Sequence, residues 1–156
     1  MNTADVIKYG HTFFLGALEQ VPRDEWQQTG VCGVWSVKDV VAHVAACEVF
    51  LGELLAAWAA GTPGDFGAAM GEAYSPAAVD ARGAATPAAV LDEYQQAFER
   101  VAQLIGRIDG DDARRPGSLP WYGAEYALDD FIVYSFYGHK REHGAQIAAF
   151  ADRLTG

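Results

Sequence analysis

Two histidines one helical turn apart, His139 and His143, fall in the middle of an apolar helical stripe, and that placement constrains the chain more than any other feature. At about 100° per residue, Leu128, Ile132, Phe136, Phe150 and Leu154 share one stripe with both rings. Asp129, Lys140, Arg141, Ala148 and Asp152 lie away from it. A buried polar group without a partner costs about 1–3 kcal/mol. Two imidazoles at i and i+4 facing a core therefore need a common partner, and a divalent metal is the simplest one.

The rest of the chain supplies the walls of such a core. Its 156 residues, 51% of them apolar, fit a single domain over 1–156. Helical periodicity predicts four long helices at roughly 4–21, 36–60, 86–108 and 127–154, and no sheet. Thr3 or Asp5 is positioned to cap the first. Ser36 opens a capping box with Asp39 at the start of the second, and Thr86-Pro87 starts the third. The fourth lacks a good cap near Ala127. Gly and Pro punctuate two long connections, about 61–83 and 110–126, with one short helical turn after Ser75. Trp121 and Tyr122, in the second, either cover the end of the core or roof a pocket. The expected fold is an all-α four-helix bundle.

Charge and composition exclude several functions. A net charge of −10 and a pI near 4.6 repel phosphate backbones and anionic lipid, so no nucleic-acid or membrane binding is expected. The most apolar stretch, Val40 to Ala60, is interrupted by His43, Glu48 and Glu53 and reads as a core helix. The N-terminus lacks a secretion signal, and Cys32 and Cys47 form neither a CxxC pair nor a disulfide framework. The expected setting is the cytoplasm.

A third histidine, His43, lies on the flank of the second helix. Taken alone it would more often be structural. Joined to His139 and His143 it would complete a facial set with positions open to water or substrate. Asp39, one turn before His43, and Glu142, three residues after His139, are candidates to hold the ring N–H groups. Cys47 is either a soft ligand or small packing, and His11 is expected at a partly exposed edge. Residues 139–143 also spell H-x-x-E-H, the string of inverted zinc peptidases. Too little chain follows for a downstream carboxylate ligand. Imidazole favours zinc, nickel, copper or iron, and binding is expected to weaken below about pH 6.5.

The segments Trp35-Ser-Val-Lys-Asp-Val-Val-Ala-His43, with Glu48 after it, and Tyr137-Gly-His139-Lys-Arg-Glu-His143-Gly-Ala-Gln146-Ile147 resemble the DinB superfamily of four-helix bundles. The resemblance extends over nearly the whole chain in helix order and spacing. It implies an up-down-down-up bundle, a three-histidine site at His43, His139 and His143 for zinc or nickel, and frequent homodimerisation. It further implies relatives that are thiol-dependent transferases and a mycothiol-dependent maleylpyruvate isomerase. Cys47 departs from the family pattern, standing where an aromatic is expected after the Ala-Ala pair, which bears on pocket shape. The expected activity is that of a metal-dependent enzyme acting on a small electrophilic substrate, with a low-molecular-weight thiol as co-substrate. The alternative is a non-enzymatic bundle that sequesters a small toxic molecule and keeps its histidines for structure.

Overall fold

The computed structural model describes residues 2–64 and 66–156. The chain is mainly helical, and its long helices stand where the periodicity places them. Helix α1, Thr3–Leu18, buries Ile7, Gly10, Phe14, Ala17 and Leu18. Its cap is Asn2, whose side chain accepts from the Asp5 N–H at 3.3 Å, and not Thr3 or Asp5. The Thr3 hydroxyl instead donates to Asp129 Oδ1 at 2.6 Å, tying the start of α1 to the start of the last helix.

The stretch expected to be a plain connection contains a short antiparallel hairpin, β1 Thr29–Cys32 and β2 Trp35–Ser36, which corrects the expectation of no sheet. Gly33 turns the chain at φ 58°, a left-handed conformation that glycine adopts without strain. Arg153 donates to the Gly30 carbonyl at 2.9 Å and fastens the hairpin to the C-terminal helix. Two strands this short leave almost no period-two pattern for a sequence to show.

Helix α2, Val37–Ala59, starts at the predicted capping box: Ser36 Oγ accepts from Asp39 N–H at 3.2 Å and Asp39 Oδ2 accepts from Ser36 N–H at 3.0 Å. It is buried on nearly all sides along its first five turns, the expected flank of His43, Cys47, Phe50 and Leu54 included. Among the described residues it is the one helix long and apolar enough to cross a membrane, but most of its apolar window is buried within this fold. Its burial, with His43 and Glu48 inside it, fits the core helix expected there.

The long connection after α2 folds into α3, Gly67–Ala73, and α4, Pro76–Asp80, the latter in the place expected for a helical turn. Arg82 closes it with a bidentate contact to Glu93, with N···O distances of 2.7 to 3.1 Å. Helix α5, Pro87–Ile105, is capped by Thr86, whose Oγ1 accepts from Ala89 N–H at 3.1 Å. A single turn, α6, Gly110–Ala113, follows on an Asp109 cap. Trp121 and Tyr122 then pack on Phe131 at ring separations of 5.3 and 4.9 Å, so they cover the end of the core.

The last helix is a rod in three parts: α7, Leu128–Ile132, a π-helical turn, Val133–Tyr137, and α8, Gly138–Thr155. Ala127 offers no capping side chain, and its N–H is met by Asp130 Oδ2 at 2.8 Å. The π-turn corrects the sequence-derived wheel. One extra residue in the turn rotates everything after it by about one position. Lys140, Gly144, Ile147 and Ala151 therefore join the buried face, and Lys140, expected to point away, is 2% exposed. Asp129, also expected outside, is drawn in by its bond to Thr3. Close packing of α1 on α8 depends on Gly144, where an added Cβ would stand 2.6 Å from the Phe13 ring.

A candidate metal centre between α2 and α8

The capping box fixes the first turns of α2, and His43 follows in its second turn. From the other side the π-turn delivers His139 and His143. The three rings meet: Nε2 of His43 lies 2.8 Å from Nε2 of His139, which lies 2.9 Å from Nε2 of His143. One ligand atom from each falls within 4.8 Å of the others, so the three could hold a metal ion. His43 and His143 are 4% and 6% exposed, and His139 is half-buried.

Hydrogen-bond chemistry limits what this cluster can be. A ring nitrogen carries either one proton or one lone pair. The Gln146 amide oxygen sits 2.8 Å from His143 Nδ1, so Nδ1 donates the proton there and His143 Nε2 presents its lone pair to the cluster. His139 Nε2 cannot satisfy two neighbouring nitrogens at once. A single proton on His139 Nε2 can point along only one of its two short contacts, so at least one of them lacks a linear hydrogen bond. Three lone pairs converging on a cation remove the conflict. Ligand nitrogens about 2.0–2.1 Å from an ion and at right angles would stand about 2.9 Å apart, which matches the two separations about His139 Nε2. His43 Nδ1 is buried without a hydrogen-bond partner among the described residues, so His43 too is held by what its Nε2 meets. The donor set fits a borderline divalent ion.

Electrostatics keep the rings neutral, the form that binds metal. Burial first, then the neighbouring His143, brings His43 down to about 4. Burial, then His143, His43 and Lys140, brings His139 down to about 2. His143 is lowered by burial against the opposing pull of Gln146 and Glu142.

Aromatic walls complete the site. The Trp35 ring centre lies 5.1 Å from that of His43, and the Tyr74 ring 5.5 Å from His43 and 4.9 Å from His139. Tyr74 comes from the junction of α3 and α4, so the long connection folds over the histidines. Burial raises the Cys47 thiol to about 12, and its Sγ points to the Ala73 carbonyl at 3.9 Å. Cys47 is therefore a packed thiol outside the histidine cluster.

The structure brings together all three histidines singled out in the sequence and rejects both expected carboxylate partners. Asp39 is consumed by the capping box, and Glu142 is exposed. Gln146 does the work expected of them. Its signal was present: an amide three residues after His143 shares its helix face. Tyr74 carried no signal, because it lies in a connection without periodicity. His11 is half-buried at the edge where it was expected, stacked on Phe98 with ring centres 3.7 Å apart and bonded to the Tyr94 hydroxyl at 2.8 Å.

A family model described as the mycothiol maleylpyruvate isomerase N-terminal domain matches residues 8–128. That span contains His43 and ends before His139 and His143. No curated protein and no solved structure matches the chain.

Proposed function

The chain belongs to the mycothiol maleylpyruvate isomerase N-terminal domain family, within the DinB-like superfamily, and from that premise we propose a divalent-metal-dependent enzyme. Its substrate is a small electrophile and its co-substrate a low-molecular-weight thiol of the mycothiol kind, in S-transfer or isomerisation. The observation that carries this reading is the approach of the His43 and His143 Nε2 atoms to His139 Nε2 at 2.8 and 2.9 Å, two contacts that one proton cannot both meet with linear hydrogen bonds. His43, His139 and His143 would hold zinc or nickel, leaving positions for water or substrate.

A bound ion there would supply Lewis acidity and favour deprotonation of a thiol or water. The chain's own residues do the rest. Gln146 holds His143 in the tautomer that presents Nε2. Trp35 and Tyr74 wall the centre with their rings. Cys47 lends bulk and stays protonated. For the bundle we assign the family's up-down-down-up order. It is supported by the packing of α2 on α5 and of α1 on α8, and by a connection between α2 and α5 long enough to return along the bundle.

A turnover assay separates this reading from sequestration. Zinc- or nickel-loaded protein is incubated with mycothiol and small electrophiles, maleylpyruvate first, and thiol adducts and isomers are followed by mass spectrometry. Metal-dependent turnover that disappears in His143→Ala is expected. Stoichiometric retention of the electrophile without product would overturn the enzymatic reading in favour of a binding bundle.

A further inference from the structure

Beside the histidine cluster the core carries a second polar layer. Lys140 Nζ lies 2.8 Å from Glu48 Oε2, and the two side chains are 2% and 1% exposed. Beyond this ion pair neither Glu48 oxygen has a hydrogen-bond partner among the described residues. The Lys140 stem passes over Gly10 of α1, where a Cβ would stand 3.7 Å from its Cδ. Its ammonium then sits 5.1 Å from the Phe98 ring and 5.7 Å from the Tyr94 ring of α5. Each long helix thus meets at one charged pair inside an otherwise apolar interior.

Such a pair is a poor source of stability. Desolvation offsets most of the attraction, and well-packed apolar replacements of both partners are often neutral or stabilising. Its best-attested use is to specify register. The arrangement here suits that use. Lys140 follows His139 directly, and Glu48 lies about a turn and a half beyond His43 on α2. The ion pair and the histidine contact are two adjacent cross-links between the same helices. A slip of α8 by one residue would swing its side chains by about 100°. That slip would place His139, not Lys140, opposite Glu48.

We propose that Glu48 and Lys140 are positioning residues: their ion pair fixes the rotation and register of α8 on α2 so that His139 and His143 stand opposite His43. The inference rests on the reading of the three histidines as one site. The π-turn makes the need concrete, because the residue it adds shifts the phase of every side chain after it by about one position.

The test uses the full chain, its Co²⁺ complex and its metal-free form. In E48L/K140M the protein is expected to fold with metal-free stability equal to or above that of the parent. Its Co²⁺ affinity should fall at least tenfold, with weakened visible d–d bands. K140R, which keeps an ion pair, should retain most of the parent affinity. If E48L/K140M does not fold, E48Q decides, since it keeps shape and loses charge; it should lose Co²⁺ affinity out of proportion to any loss of stability. Parent-like affinity and spectrum in either folded variant overturns the proposal. A parent that binds no Co²⁺ refutes the metal reading separately. The positioning role is then read in the metal-free protein from nuclear Overhauser contacts between the His43 and His139 rings, which it requires to be present in the parent and lost in E48L/K140M.

Discussion

Tyr74 places its hydroxyl on the backbone carbonyl of Ser135, inside the π-turn that precedes His139. A π-turn disturbs the regular i→i+4 ladder of an α-helix, and a buried carbonyl requires a donor. One bond therefore ties the connection folded over the histidine cluster to the irregular turn that aims His139.

Tyr74→Phe removes the donor and keeps the ring. It should cost about 1–2 kcal/mol, seen as a lower urea midpoint with unchanged slope. It should also increase hydrogen exchange across Val133–Tyr137. A midpoint within error of the parent would show that the bond contributes nothing.

Gln146→Leu should lower metal affinity about 10–100-fold, the usual effect of losing the group that orients a ligating histidine. The metal-free protein should be nearly unaffected, because the glutamine is only half-buried. Competition against a chromophoric chelator measures it. An unchanged affinity would remove Gln146 from the site.

The four long helices were legible because each repeats apolar residues at helical spacing over several turns, and because Ser36, Asp39 and Thr86 are strong caps. The histidine cluster was legible from His139 and His143 on an apolar stripe. What remained hidden has one physical source. The π-turn at Val133–Tyr137 is a local change of helical pitch that leaves no compositional mark, so a uniform wheel placed Lys140 outside. Its burial next to Glu48 was hidden with it. The partners of the histidines were misassigned for a related reason. Asp39 had two possible uses, and the helix N-terminus, with its unsatisfied N–H groups, claimed it.

The pH response should depart from the simple expectation of weakening below 6.5. Burial holds His43 near 4 and His139 near 2, so protons compete poorly for the folded site. Zinc affinity should change little between pH 7.5 and 6. A drop parallel to free imidazole titration would contradict this.

His11 extends the same logic to stability. Burial, then the charge of Lys140, lowers it to about 4 from its usual 6.5. With the folded value depressed, the unfolded chain takes up the proton first. The contribution is therefore complete above about pH 6.5 and is lost as pH falls toward 4. His11→Gln should reduce the fall in urea midpoint between pH 7.5 and 5.5. An equal fall in both proteins would assign it elsewhere.

His143→Leu should raise the stability of the metal-free protein by about 1–2 kcal/mol, since an apolar side chain replaces a buried imidazole. It should also abolish stabilisation by added metal, which for a parent at one hundred times its Kd amounts to about 2.7 kcal/mol. Thermal melts with and without zinc test both effects. A less stable metal-free variant would mean that the histidine is kept for packing.

The most direct measurement is the metal content of the purified chain after loading with zinc or nickel and desalting, determined by elemental analysis against protein concentration. The structure predicts one ion per chain in the parent and none in His43→Ala, His139→Ala or His143→Ala. A parent that retains no stoichiometric metal, or variants that retain as much as the parent, would contradict the three-histidine centre on which the functional reading depends.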